Sequence, residues 1–308
     1  MNKNPLLLPT FTLAALLFTA SPAPAADQAE MVRIPHEVRE IEGWTVQVDT
    51  SLLEGKHKPS GDLALKVLEQ RLHRIVMRLP EEPVARMREV PIYLDRAHPL
   101  GNAHYHPSAK WLERHGYDPA MARAIHITHA RDLVRAAKTP RGGCVVLHEL
   151  AHAYHDRVLG FDHKEILATY RKFGDTGKFD MVPYSNGRVR PHYGLTDHKE
   201  YFSEITEAFF TGNNIYPFNQ LQLMEAHPES CRLVARIWGV KPSVSIEKDP
   251  GKLGHHDLRI LATLKSQRGD HDEALEILGK AEEKSPGNER LAGERERIEA
   301  AKKEAEAE

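Results

Sequence analysis

The sequence has almost no excess of charge of either sign. Its 308 residues include 42 lysines and arginines and 44 aspartates and glutamates, which gives a formal net charge of -2. A protein that binds nucleic acid or an anionic lipid surface through electrostatics needs a basic excess. The composition therefore argues against nucleic acid as a partner.

Cysteine is scarce, since Cys144 and Cys231 are the only two in the chain. In an oxidising compartment two such thiols can pair, and otherwise they remain free and buried. The sequence does not say how closely their Cα atoms approach, so it leaves both alternatives open.

Long apolar runs are missing after the first residues of the chain. Residues 1–25 combine a lysine, an apolar run, and Ala23 and Ala25 at the spacing of a signal-peptidase site. This pattern predicts a cleaved secretory signal rather than a retained membrane anchor, because Pro9 interrupts the run and the run is short for a span. We therefore expect a secreted or periplasmic chain with no membrane span after signal cleavage.

The stretch from Cys144 to Asp156 contains His148, Glu149 and His152 in the pattern H-E-x-x-H. Residues four apart on a helix lie on one face, so both imidazoles can reach one tetrahedral metal ion. Glu149 is then placed beside the open coordination position, where a carboxylate can act as general base. The pattern is typical of a catalytic zinc site.

Catalytic zinc takes three protein ligands, so the motif needs one more donor. Val158 occupies the position of the third histidine of the metzincins, which excludes that class. Glu200 and Glu204 lie four apart on one predicted helical face. The first can bind the metal while the second holds the tautomer of a ligating histidine. His155 is expected either to support a ligand from behind or to face solvent.

These two motifs resemble those of the gluzincin metallopeptidases, and most nearly the type of anthrax lethal factor and the secreted Pro-Pro endopeptidases. The likeness rests on H-E-L-A-H from His148 to His152, and on Tyr193-Gly194 followed by E-Y-F-S-E from Glu200 to Glu204. Ser203 departs from the alanine that is more usual there. The matching motifs cover only the stretch from about Cys144 to Phe210.

The resemblance implies an α+β, zincin-like metallopeptidase domain with an active-site helix and one Zn²⁺ ion. His148, His152 and Glu200 would hold the ion, with Glu204 behind the ligands. Glu149 would be the general base and Tyr193 would donate a hydrogen bond to the oxyanion. His192 and His198 are the alternatives for that last role.

Hydrophobic periodicity predicts the surrounding elements. The expected strands are Trp44–Val48, Val90–Leu94 and Ala124–His129. The expected helices are Leu63–Leu79, Cys144–Leu159, His163–Phe173 and one that starts at Thr196 or Asp197, with a hairpin at Asn186-Gly187.

Two regions before the active-site helix bear on function. The strand with Ile125 and Ile127 is either the edge that holds an extended peptide, as the resemblance implies, or an ordinary internal strand. Residues 103–117 are histidine-rich and loop-like. A second metal site made from them is disfavoured, because no carboxylate keeps ligand spacing with their histidines.

The chain divides into residues 26–240 as the metallopeptidase domain, 241–254 as a linker rich in proline and glycine, and 255–308 as a helical appendage. Leu258 to Pro286 resembles one tetratricopeptide unit, and a charged helix follows it. One such unit is rarely stable alone, so it packs on the catalytic domain or binds a protein partner.

The sequence thus predicts an exported zinc metallopeptidase acting on a protein or peptide. The main rival is an interaction protein of the cell envelope that uses the helical repeat and whose zinc site is structural or catalytically idle. A nonpeptide amidase is a further alternative, because the same zinc and base hydrolyse many amides. Glu149 favours an enzyme, since a structural zinc site needs no base.

Overall fold

The structure, a computed structural model, describes residues 31–139, 142–243 and 253–306. The predicted signal and most of the predicted linker lie outside the described residues. The fold is mixed α and β, as expected. The strands are β1 (His36–Ile41), β2 (Trp44–Asp49), β3 (Ile92–Leu94), β4 (His104–Tyr105), β5 (Ile125–Ile127), β6 (Val182–Pro183) and β7 (Val189–Arg190). The helices are α1 (Lys58–Arg78), α2 (Glu81–Arg88), α3 (Ala109–Arg114), α4 (Ala130–Lys138), α5 (Val145–Tyr154), α6 (Lys164–Asp175), α7 (His198–Phe210), α8 (Gln220–Ala226), α9 (Pro228–Ile237), α10 (His255–Ser266), α11 (His271–Lys284) and α12 (Glu289–Ala305).

The larger sheet has the strand order β1-β2-β3-β5-β4. Strands β2, β3 and β5 run parallel, whereas β1 and β4 are antiparallel to their neighbours. All three residues of β5, the strand with Ile125 and Ile127, are buried, as in an ordinary internal strand. Its alternative role as the edge strand is wrong, since β5 lies between β3 and β4. The edge is β4.

Helix α1 confirms the helical periodicity predicted before Pro80. Its buried residues include Leu68, Leu72 and Ile75, which lie three or four apart on one face. Helices α2, α3 and α4 and strands β1 and β4 were not predicted. They are short, and β1 exposes most of its residues, so neither alternation nor helical spacing stands out. The region 103–117 is therefore a strand and a helix rather than a loop.

Helices α5 and α7 pack against each other and carry the two predicted motifs. Trp238 stacks on Tyr154 of α5, with 4.4 Å between ring centroids, and on Phe202 of α7. Its indole nitrogen donates a hydrogen bond to the Thr206 hydroxyl across 3.2 Å. Because this fully buried side chain contacts both helices, it helps to fix their relative position.

The end of helix α5 has an altered geometry. After Tyr154 the chain continues as a π-helical turn, His155–Leu159, and stops at Gly160, whose φ is +80°. This φ is one that glycine adopts at little cost, so the predicted stop at Gly160 is confirmed. The Asn186-Gly187 hairpin is also present, as the pair β6 and β7.

The two cysteines do not pair. Cys144 and Cys231 are both free and buried, and of the two alternatives that the sequence left open the structure has the free thiols.

The C-terminal helices α10, α11 and α12 bury their own apolar cluster, from Leu253 to Ile298, separate from the larger core. Helices α10 and α11 are joined by a short connection that includes Gly269 and Asp270. In the part of the chain that the structure describes, no helix is both long and apolar enough to cross a membrane.

Arg268 joins this appendage to the rest of the chain. Its guanidinium lies 2.5 Å from the Glu225 carboxylate and stacks over the Tyr216 ring at 5.7 Å. The Glu225 side chain is 10% exposed, so its charge depends on this partner more than a surface carboxylate would.

We therefore expect Arg268→Ala to destabilise the chain by about 1 kcal/mol, or roughly 2–4 °C in thermal unfolding. Lys302→Ala is the matched control, because its partners Asp272 and Glu306 belong to the same appendage. Equal shifts for the two variants would show that Arg268 does not hold the appendage in place.

Candidate metal centre

Three side chains from two helices converge at one point. His148 Nε2 lies 3.0 Å from Glu200 Oε2, and His152 Nε2 lies 3.3 Å from the same oxygen. The ligand atoms of these residues all lie within 4.8 Å of one another. One turn of α5 separates the two histidines, and α7 brings Glu200 to them. The structure thus brings together the predicted ligand set across 52 residues of sequence.

The Asp197 carboxylate fixes the start of α7. It accepts hydrogen bonds from the backbone N–H groups of Lys199 and Glu200, at 2.8 and 3.0 Å. This confirms Asp197, one of the two predicted caps. The cap holds the first turn of α7, and with it Glu200, at the rim of the cleft that contains the three candidate ligands.

Behind His148 lie two buried carboxylates rather than one. Its Nδ1 is 3.6 Å from Glu204 Oε1 and 3.7 Å from Glu207 Oε2. Glu204 in turn accepts a 2.6 Å hydrogen bond from the Asn213 amide. Glu204 therefore lies where the resemblance placed it. Glu207 and Asn213 were not among the site residues predicted from the sequence. The spacing of Glu200, Glu204 and Glu207 along one face of α7 is a signal that could have identified Glu207.

Glu207 also restricts which residue can occupy position 143, just before helix α5. The backbone N–H of Cys144 donates a hydrogen bond to its carboxylate. A Cβ at Gly143 would lie 2.7 Å from Glu207 Oε1, and Gly143 has a φ of +71°. Only glycine meets both conditions without strain, so the chain can enter α5 directly above this carboxylate.

At this centre the carboxylates outnumber the imidazoles, and their charges shift the pKa values of the candidate ligands. Burial works against a charged His148, but the Glu200 hydrogen bond and the charges of Glu149 and Glu204 outweigh it and raise its pKa to about 10. Burial also opposes ionisation of Glu200, yet its hydrogen bonds to the two histidines hold its pKa well below the ordinary value.

The carboxylates behind the ligands behave differently. Burial, and then the charge of Glu204, raises the pKa of Glu207 to about 8, and burial likewise raises the pKa of Glu204. Glu149 is also buried, with 6% of its surface exposed. So many buried carboxylates around two imidazoles form a site whose electrostatics favour a cation.

The donor set suits zinc. Two imidazole nitrogens and one carboxylate oxygen are the three protein ligands of a catalytic zinc site of the glutamate-completed kind. The buried Glu204 and Glu207 pair lies 3.6 and 3.7 Å from His148 Nδ1, where its negative charge favours a proton on Nδ1 and so leaves Nε2 free to bind the metal. His148, His152 and Glu200 are the residues that would hold the ion.

The ligands lie in a cleft with a volume of about 550 Å³. Its other walls include Glu149, Tyr193 and both residues of the edge strand, His104 and Tyr105. The Tyr105 hydroxyl donates a 2.7 Å hydrogen bond to the Asp156 carboxylate, just beyond α5. This hydrogen bond holds strand β4 beside helix α5.

Tyr193 lies at the mouth of this cleft. It is 46% exposed, and its ring centroid is 6.4 Å from that of His148. Partial burial, and then the charges of Glu200 and Glu149, raise its pKa to about 12. At neutral pH the phenol therefore keeps its proton and remains a hydrogen-bond donor.

The alternatives to Tyr193 do not reach the cleft. His192 is buried, and its ring packs edge-on against Phe173. Its Nδ1 accepts a hydrogen bond from the Gly194 N–H at 2.9 Å. His198 packs against His155 instead. Neither histidine lines the cleft, so both are excluded from the oxyanion role.

The expectation for His155 is wrong in part. The side chain is fully buried, so it does not face solvent, and it contacts Phe161, Phe202 and His198. Its two ring nitrogens have no hydrogen-bond partner among the described residues. Burial, and then the neighbouring imidazoles, lower its pKa to about 3, so it is a neutral packing residue.

No protein-family model, curated protein or solved structure matches the chain. The inference about function therefore rests on the geometry and chemistry of the residues.

Glu204→Ala tests the support behind the ligands. Removing an outer hydrogen-bond partner of a metal-bound histidine typically costs 10–100-fold in metal affinity, and we expect a loss of that order for zinc. Zinc competition against a chromophoric chelator measures it, with Glu229→Ala, an exposed carboxylate on α9, as control. If Glu204→Ala empties the site while Glu200→Ala does not, the order of the two glutamates is reversed.

Proposed function

We propose that this chain is an exported, zinc-dependent metallopeptidase. The convergence of His148, His152 and Glu200, with the buried Glu149 in the same cleft, is the observation that carries the proposal. A structural zinc site closes its coordination with protein ligands and needs no adjacent base. This site has three donors and a carboxylate beside them, which is the arrangement expected for hydrolysis.

Each residue of the site has a separate role in the proposed hydrolysis. When bound, zinc supplies Lewis acidity, which polarises a substrate carbonyl and lowers the pKa of a water molecule. Glu149 accepts the proton of the attacking water and passes it to the leaving amine. Tyr193 donates its phenolic hydrogen to the oxygen on which negative charge develops. Glu204 and Glu207 keep His148 oriented while this happens.

The edge strand favours an extended peptide as the substrate. Strand β4 pairs with β5 on one side only, and its two residues line the cleft. An extended chain can add to the free edge of such a strand through backbone hydrogen bonds. This edge, rather than the strand with Ile125 and Ile127, is where we propose that the substrate lies. The resemblance implies an edge strand that holds an extended peptide, but it placed that edge on the strand with Ile125 and Ile127.

Tyr193→Phe removes only the phenolic donor. We expect kcat to fall about 100-fold with little change in KM and no change in bound zinc, because the lost interaction forms mainly in the transition state. Tyr184→Phe is the matched control, since the Tyr184 hydroxyl donates to the Pro191 carbonyl and Tyr184 is not among the residues that line the cleft. Unchanged kcat in Tyr193→Phe would remove Tyr193 from the catalytic residues.

A peptide library tests the proposal. The purified chain should cleave a subset of the library, lose cleavage after chelation, and regain it when zinc is returned, with mass spectrometry locating the cleaved bonds. Cleavage of simple blocked amides without cleavage of peptides would instead favour the nonpeptide amidase. Bound zinc with no hydrolysis of either would favour the idle, interaction-protein alternative.

A further inference from the structure

A second set of ligating side chains lies outside the cleft just described. Asp95 follows strand β3, His98 lies three residues further on, and His126 is the middle residue of β5. Each offers one ligand atom, and these atoms lie within 4.8 Å of one another. The histidines of residues 103–117, for which a second metal site is disfavoured, have no carboxylate at ligand spacing. Asp95 provides one from a different segment.

The backbone holds these residues firmly. The Asp95 N–H donates to the Ile127 carbonyl at 3.0 Å, and the His98 N–H donates to the Thr128 carbonyl at 2.9 Å. These bonds tie the segment after β3 to β5. The three side chains are 0%, 3% and 1% exposed for Asp95, His98 and His126 respectively, so they meet in the interior.

The side-chain geometry centres on Asp95. His126 Nε2 lies 2.6 Å from Asp95 Oδ2, and His36 Nε2 lies 2.7 Å from Asp95 Oδ1. The rings of His98 and His126 are 4.6 Å apart between centroids, edge to face. Two imidazoles and one carboxylate oxygen are thus gathered here, while His36 holds the second carboxylate oxygen. A carboxylate oriented in this way is typical of metal ligands.

The charge and hydrogen bonding of this cluster are incomplete. Among the described residues, the only ion-pair partners of the fully buried Asp95 are His36 and His126, and no lysine or arginine approaches it. His126 Nδ1 is buried and has no hydrogen-bond partner among the residues that the structure describes. A buried carboxylate is costly without a positive partner, and a metal ion supplies that charge.

There is also space beside the ligands. A cavity of about 120 Å³ is lined by Asp95, His98, His36, Tyr93 and Asp118, among others. It is large enough for water, which can complete a coordination sphere that protein ligands leave open. The cavity is separate from the cleft that holds His148.

We propose that Asp95, His98 and His126 form a second site for a divalent transition-metal ion, with His36 orienting the carboxylate. The donor set of imidazole nitrogen and carboxylate oxygen suits Zn²⁺. Binding through His98 Nε2 puts the ring proton on Nδ1, so the 3.2 Å contact between Nδ1 and the Leu100 N–H is given up. We therefore expect this site to bind zinc more weakly than the site at His148.

Metal stoichiometry tests the second site. The metal-free full chain is equilibrated with excess Zn²⁺, and bound zinc is counted by elemental analysis after equilibrium dialysis. We expect two ions for the wild-type chain, and one each for Asp95→Asn, His98→Ala and His148→Ala. His98→Ala combined with His148→Ala should bind none. His73→Ala, at an exposed histidine on α1, is the control and should keep both ions.

Two results would overturn this proposal. One is a wild-type chain that saturates at a single ion while His148→Ala binds none. The other is a wild-type chain with two ions that Asp95→Asn and His98→Ala both retain. Asp95→Asn preserves side-chain size, and circular dichroism identifies any variant that has lost its fold. The count is independent of catalysis, so absence of peptide cleavage would not affect it.

Discussion

Glu149→Gln is expected to retain zinc and to lose peptide hydrolysis. The amide has nearly the size of the carboxylate but cannot accept the proton of the attacking water. General-base catalysis typically contributes about 10²–10⁴-fold, and we expect kcat to fall by that order or more. Glu149 is buried in the cleft wall and is not among the converging ligands, so metal content should be unchanged. Turnover on a cleaved library peptide and zinc content of the same sample measure both effects.

A matched control separates the base from simple loss of charge. Glu165→Gln removes an exposed carboxylate on α6 that pairs with Arg236 and is not among the residues that line the cleft. It should leave turnover unaltered. Full activity in purified Glu149→Gln would refute the general-base assignment, and loss of zinc in that variant would make Glu149 a ligand instead.

His148→Ala, His152→Ala and Glu200→Ala are expected to lose zinc from the catalytic site. Each removes one of three donors, so the loss of affinity should exceed the 10–100-fold expected for an outer partner such as Glu204. Hydrolysis should fall to background in all three. Affinity measured by chelator competition, with the exposed His73→Ala as control, gives the comparison.

These ligand variants need one precaution, because a second zinc site is proposed. Binding should be followed at limiting zinc, where the tighter site fills first. A Glu200→Ala protein that binds as tightly as the wild type at limiting zinc would exclude Glu200 as the third ligand.

The candidate ligands were predictable from the sequence because helix geometry links spacing to direction. H-E-x-x-H places two histidines on one face whatever the rest of the fold does, and Glu200 and Glu204 follow the same rule. What spacing could not provide was the approach of α7 to α5. That approach depends on Trp238, which packs against both helices from a distant part of the chain.

The edge of the sheet was less predictable. Strand β4 has two residues, too few for an alternating pattern, and its place beside β5 arises from a non-local pairing. The sequence therefore pointed to the longer, more apolar β5 as a candidate edge strand. Asp95 was passed over for a similar reason, because only His98 lies near it in sequence, whereas His36 and His126 come from separate segments. A cluster of that kind has no local spacing.

Metal titration of catalytic activity tests the central claim most directly. Zinc is returned in steps to the metal-free chain while cleavage of a library-derived peptide is followed in the same sample. We predict that activity rises in proportion to the first equivalent of zinc, reaches a plateau there, and stays at background throughout in His148→Ala. Stoichiometric zinc binding with no cleavage of any library peptide, or cleavage that does not depend on zinc, would contradict the account.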